Sequence, residues 1–221
     1  MSLNMICSAG PVAGGSAQSP TLVDSFIATD EENNWSVSPG FTLSSGDIIV
    51  IIFSSGDGNG SFSWGDDASP TDLIDYSGSD PAFYIGYQVS DGTETTFSVS
   101  GAGGFSSSVI CLLQFSEAGT PIDKGDATGA SGDPNPPEAT GLTAGSILIA
   151  AGCIDTAVEL SQPAGWTLTE RDEILNIGES SASSLCVAQL IADSSTEDPG
   201  EFAASGSTNW KAGIIEIPYS A

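Results

Sequence analysis

The 221 residues carry 29 acidic side chains against three basic ones and no histidine, a formal net charge of −26. Nucleic acid is excluded as a partner, because phosphate neutralisation needs clustered Lys and Arg, and an anionic membrane surface is excluded on the same ground. With 39% apolar residues and 27 glycines the chain can bury a core, while its self-repulsion suits a saline medium in which charges are screened.

Residues 1–19 open with Met1-Ser2-Leu3-Asn4-Met5-Ile6-Cys7, which lacks the basic flank and long apolar centre of a secretory leader. They continue through the small residues Ser8 to Ala17. This composition predicts an extended arm directed at a neighbouring subunit. Residues 20–118 form the first unit, with strands predicted at 22–28, 35–43, 48–53, 82–90, 95–100 and 107–116. Each is a short β-branched or aromatic run bounded by Gly, Asp, Ser or Pro. Residues 119–221 form the second, with strands at 145–153, 165–172, 184–192, 200–204 and 210–218. Asp133-Pro134-Asn135-Pro136-Pro137 forbids regular structure, so 123–140 reads as an exposed loop or an extended edge. A weak helical period over Leu168 to Ile177 has no cap, and helix content is expected to be low. No apolar stretch approaches the ~18 residues of a membrane-crossing helix.

The second unit restates the first. Gly46-Asp47 followed by Ile48 to Phe53 returns as Gly145-Ser146 followed by Ile147 to Gly152, and each run is succeeded by a Trp (Trp64, Trp166), a Gln in an apolar run (Gln88, Gln189) and a Phe (Phe97, Phe202). The spacing is about one hundred residues. The expected fold is all-β, a sandwich or jelly-roll-like body of two similar halves. The join Glu117 to Pro121 is too short to hold two apolar faces apart, so the halves are expected to pack as one unit.

No catalytic set emerges. A Ser or Cys nucleophile needs a base, and without histidine only Lys124 and Lys211 remain, neither in a Ser-x-x-Lys pattern. Paired acids for glycoside hydrolysis could come from Asp66-Asp67, from Glu170 with Asp172 and Glu173, or from Asp75 and Asp80. In so acidic a chain such clusters read first as solvated faces. Asp57-Gly58-Asn59-Gly60 begins like a calcium loop, but Ala68 stands where the bidentate Glu belongs. Opportunistic binding of a divalent ion on loops is the furthest this reading goes. Cys7, Cys111, Cys153 and Cys186 make neither a disulfide framework nor a Cys-x-x-Cys site, and the last three sit in apolar runs as buried thiols. Trp64 and Trp166 read as core residues common to the halves. Trp35 and Trp210, without such counterparts, are the candidates for exposed contact with a sugar ring.

An apolar strand introduced by Ser45-Gly46-Asp47 or Ala144-Gly145-Ser146, then Pro163-Ala164-Gly165-Trp166-Thr167, then Ala82-Phe83-Tyr84-Ile85-Gly86-Tyr87-Gln88-Val89 and a Ser/Gly-rich closing pair resembles the β-sandwich, jelly-roll-like structural proteins of tailed bacteriophages. Capsid decoration (cement) proteins, head fibres and tail components are among them. The first half departs from the pattern, with Phe62-Ser63-Trp64-Gly65 in place of Pro-Ala-Gly-Trp-Thr. The resemblance implies a non-enzymatic virion structural protein assembled in the host cytoplasm, most of all a decoration protein that reinforces the head. Its partners would be the major capsid protein or other virion subunits and further copies of itself, and not nucleic acid or membrane. It brings no catalytic residues, cofactor or metal. The alternative it leaves is a tail or fibre component that recognises host-surface glycans.

Overall fold

The computed structural model describes residues 19–30, 34–56, 62–101, 107–175, 182–204 and 209–220. The predicted arm, save Ser19, lies outside them, as do Asp57-Gly58-Asn59-Gly60 and Cys7. Every regular element among the described residues is a strand. Residues up to 116 supply β1 (Thr21–Asp30), β2 (Asn34–Val37), β3 (Ile48–Ser55), β4 (Phe62–Asp66), β5 (Thr71–Asp75), β6 (Ala82–Val89), β7 (Phe97–Gly101) and β8 (Ser108–Ser116). The rest supplies β9 (Ile122–Gly129), β10 (Ala139–Thr140), β11 (Ile147–Ile154), β12 (Thr167–Leu175), β13 (Ala182–Ile191), β14 (Thr196–Glu197) and β15 (Trp210–Ile217).

Two five-stranded antiparallel sheets dominate, ordered β1-β8-β3-β6-β5 and β9-β15-β11-β13-β12. Read in this direction the two orders match strand for strand. The central strands β3 and β11 are buried along their whole length. A strand with water on one face alternates apolar and polar residues, whereas a strand covered on both faces is a continuous apolar run. Ile48 to Phe53 and Ile147 to Ala151 are of the second kind, and each therefore needs two apolar partners.

Three apolar layers answer that need. Between the sheets, Val50, Ile52, Val109 and Leu113 of the first pack with Ile149, Val187 and Ile215 of the second. On the outer face of the first sheet, Ile49, Ile51 and Phe53 meet Trp35, Val37, Phe97 and Val99 of a small three-stranded sheet, β2-β7-β4. On the outer face of the second, Leu148, Ala150 and Ile214 are covered by Leu160, Trp166 and Phe202 from loops near the short pair β10-β14. Close approach between the sheets depends on Gly213 in β15, where an added Cβ would stand 2.5 Å from Ile74 Cδ1.

The two central strands are entered by the same turn. Gly46 (φ 98°) and Gly145 (φ 87°) occupy left-handed backbone that favours glycine. Asp47 N donates to Ser44 O at 3.0 Å and Ser146 N to Thr143 O at 3.0 Å.

All four edge strands of the two five-stranded sheets carry one extra residue: Val23 in β1, Leu73 in β5, Lys124 in β9 and Thr169 in β12. A bulge bends an edge and interrupts the flat row of donors and acceptors on which another strand could dock. The open sides of the sandwich are tied across. Ser25 of β1 donates to Glu170 of β12, and Tyr76, just past β5, donates to Asp126 of β9.

Several sequence expectations need correction. Of the two readings given for residues 123–140, the extended edge holds for β9, while Pro134 and Pro136 are not exposed but buried over the second sheet. A proline cannot donate to a ladder, but its ring packs as an apolar group, and Pro134 O accepts from Phe202 N at 2.8 Å. Residues 200–204 form only an isolated bridge, Ser161 to Ala203. The two glutamines are not equivalent. Gln88 lies opposite Ile49, the second residue of β3, and Gln189 opposite Ile149, the third of β11. One residue of slip reverses the face. The tryptophans do not correspond either, since Trp64 lies within β4 and Trp166 immediately before β12. Leu168 to Leu175, by contrast, is strand, in keeping with the strand expected over 165–172 and the uncapped helical period discounted there.

Candidate functional site

The three cations are all held by their own chain. Lys124, set at the bulge of β9, reaches Glu216 Oε2 at 2.7 Å and donates to Gly141 O at 3.2 Å. Glu216 is almost fully buried and accepts from Thr143 N at 2.8 Å. Burial alone would raise its pKa, but the Lys124 ammonium, the Thr143 amide and the Ser146 hydroxyl hold the carboxyl below the ordinary carboxylate range. Arg171 pairs with Glu159. Lys211 is buried with its ammonium 5.6 Å from the centre of the Tyr76 ring. Burial, together with the bond to Asp126, pushes the Tyr76 hydroxyl up to about 12.

At the register of Glu216 the first sheet has Gln114, each opposite the second residue of its central strand. Gln114 Nε2 donates to Asp47 Oδ2 at 2.7 Å and to Thr42 O at 3.0 Å. A buried carboxylate thus closes the entry loop of both central strands, carried by the turn in one sheet and by the neighbouring strand in the other.

Two grooves of similar size lie at corresponding strand ends but on opposite faces of their sheets, each walled by the first residue of an edge strand and the last residues of the strand beside it. The groove of about 480 Å³ on the first sheet is lined by Thr71, Gln88 and Val89 together with Asp67, Asp91 and Glu94. Its carboxylates are occupied in shaping loops. Asp67 Oδ2 accepts from Thr95 N at 2.6 Å and Thr96 N at 2.9 Å, and these amides lower its pKa. Burial works to raise Glu94, but the Ser90 hydroxyl, the Asp91 amide and Gln88 hold it below its ordinary value. The groove of about 470 Å³ on the second sheet is lined by Thr167, Leu190 and Ile191, with Pro20, Thr21 and Leu22 contributed by the start of β1. Gln189 and Ile147 complete it, so no charged side chain lines it. Ile191 is 60% exposed.

The remaining candidates take ordinary structural places. Trp35 and Trp210 are buried, not exposed as expected. Trp35 is covered because β2 is the outer wall of an apolar layer, where its ring lies 6.5 Å from that of Phe53. Trp210 Nε1 donates to Ser131 O at 3.0 Å. Trp166 is a core residue and Trp64 a half-buried one that packs 4.9 Å from the Tyr84 ring. Cys111, Cys153 and Cys186 are buried free thiols as expected, and burial pushes Cys186 up to about 12. Asp66 (φ 53°) accepts from Ser36 Oγ at 3.1 Å, and Asp75 from Ser77 N at 2.8 Å. Glu170 is taken up by Ser25, while the side chains of Asp172 and Glu173 lie outside the described residues. Among the described residues no three metal-ligating side chains converge.

Sequence reasoning did not find the uncharged groove, because its wall combines two sheets that are far apart in the chain. The only sequence signal was the lack of charge before Asp24. Compared with known proteins, the chain matches no family model, no curated protein and no solved structure.

Proposed function

We propose that this protein is a non-enzymatic structural subunit of a phage virion, a decoration protein that coats and reinforces the head through contact with the major capsid protein, in several copies, after assembly in the host cytoplasm. The reading begins from the sequence resemblance. The observation that carries it further is the division of charge: all three cations are tied internally in a chain of net charge −26, yet one groove is lined without a charged side chain. An acidic body stays soluble and separate from its copies, and an uncharged region supplies adhesion without that repulsion. Four stacked layers with doubly buried central strands suit a body that works by rigidity.

The test is to mix the purified chain with undecorated phage heads and follow co-sedimentation. Saturable binding at a fixed ratio to the capsid subunit, with a higher disruption temperature of the heads, is the expected result. No binding at any salt concentration would end the proposal.

A further inference from the structure

The uncharged groove on the second sheet has a rim of acids, and the two together define what would fill it. We propose that it seats an apolar side chain of a partner protein, carried on an extended segment with lysine or arginine on either side. The chemistry of that segment follows from the groove; that its owner is a capsid subunit rests on the decoration reading above.

The groove lies where β1 and β12, facing edges of the two sheets, begin; further along the same strands the bond from Ser25 to Glu170 closes the gap. Leu22, Ile147 and Ile191 give it apolar walls, and Ile191, at 60%, is the most exposed large hydrophobic side chain among the described residues. Val23, the bulged residue that follows Leu22, is half exposed. Apolar groups gathered at the surface inside a polar border mark a protein contact. Gln189 and Thr167 set an amide and a hydroxyl in the same wall, able to donate to and accept from the backbone of an extended chain.

The rim decides the charge of the partner. Asp24 stands two residues beyond Leu22, Asp193 two beyond Ile191, and Glu117 follows Ser116, the ladder partner of Thr21; all three acids are exposed. Of the strands that wall the groove only β12 carries a basic residue, Arg171, and it is held by Glu159. A charge placed inside the apolar groove would lose its water without gaining a partner, so the anchor itself is uncharged. Lys or Arg on its flanks would meet the acids of the rim, where exposed pairs speed association and select between partners. An acidic segment is repelled there. A second copy brings a like acidic rim, since the chain's charge is −26, and a neutral small molecule leaves the rim unused.

The probe is a short synthetic peptide with one leucine centred between paired lysines on a Gly/Ser background, titrated into the full chain and followed by amide NMR. Saturable shifts are expected at Leu22, Leu190 and Ile191. Exchanging the lysines for glutamates, or the leucine for serine, is expected to weaken binding about tenfold in each case, and raising salt to about 0.5 M to remove the advantage of lysine while keeping that of leucine. Ile191→Ser, at a position already facing water, should weaken the peptide about tenfold with circular dichroism unchanged. Asp24→Asn combined with Asp193→Asn should erase the preference for lysine over glutamate. No saturable shift at the groove, equal binding of the lysine and glutamate peptides, or full binding by Ile191→Ser would each overturn the inference. So would shifts of the same amides on concentrating the chain alone, which would place a second copy in the groove. Undecorated heads separate this inference from the decoration reading. Head binding that Ile191→Ser retains in full sinks the groove and leaves decoration standing, whereas lysine-dependent peptide binding by a chain that no head captures sinks decoration and leaves the groove's chemistry standing.

Discussion

Glu216 and Lys124 show how a single bulge places a charge. Without the extra residue, β9 would run in unbroken register past β15; with it, Lys124 turns to Glu216 Oε2 at 2.7 Å. Removing one partner of a buried pair leaves the other charged and unsolvated, so Lys124→Met should cost about 3 kcal/mol in chemical denaturation. The pH dependence has a definite sign. The folded-state pKa of Glu216 lies below its unfolded value, so its stabilisation is present above the ordinary glutamate pKa of about 4.3 and is lost as pH falls through the folded value. Below about pH 4 the wild type should therefore lose melting temperature more steeply than Glu216→Gln. Equal slopes for the two proteins would show that Glu216 carries no such stabilisation.

At the scale of the element, the four bulges make edges that decline partners. Val23 is half exposed, and its neighbours Leu22 and Asp24 face Phe115 and Gln114 across the ladder. Deleting Val23 keeps those pairs and removes the bend. The resulting flat edge should associate with other copies, seen as concentration-dependent light scattering in high salt, where charge no longer opposes contact. Unchanged scattering would assign protection of that edge to charge alone. The strands themselves were largely legible: β3, β6, β8, β11, β13 and β15 are apolar runs bounded by turn residues, and Gly46 and Gly145 announce the turns that precede two of them. β4 and β5 were not, because Ser63, Gly65, Asp72 and Asp75 leave too few apolar residues to show a period. They are strands through pairing with β7 and β6.

For the molecule as a whole, the charge of −26 opposes the compact state. Screening should relieve it. Raising salt from low to about 0.5 M brings the Debye length below about 5 Å, and the melting temperature should rise by about 2–6 °C, a gain of roughly 1–2 kcal/mol for a chain of this size. Differential scanning calorimetry at a series of salt concentrations would measure it; a flat or falling series would show that the acids are too widely spaced to interact. The candidate site belongs to this scale as well. Its groove exists only where the start of β1 meets the ends of β11, β12 and β13, and no local pattern in any one of them predicts an unfilled space between them.

By itself the sequence determined the class of fold, the central strands and the buried thiols, because continuous apolar runs and left-handed glycines are local facts with local consequences. It also determined the electrostatic character, since charge is counted and not folded. Tertiary structure decided which apolar runs face each other, that Trp35 and Trp210 are covered, that Gln88 and Gln189 point to opposite faces, and that one groove is acidic while its counterpart is uncharged. Each of these depends on register and on layers brought from distant parts of the chain, and a shift of one residue is enough to reverse the side on which a residue falls.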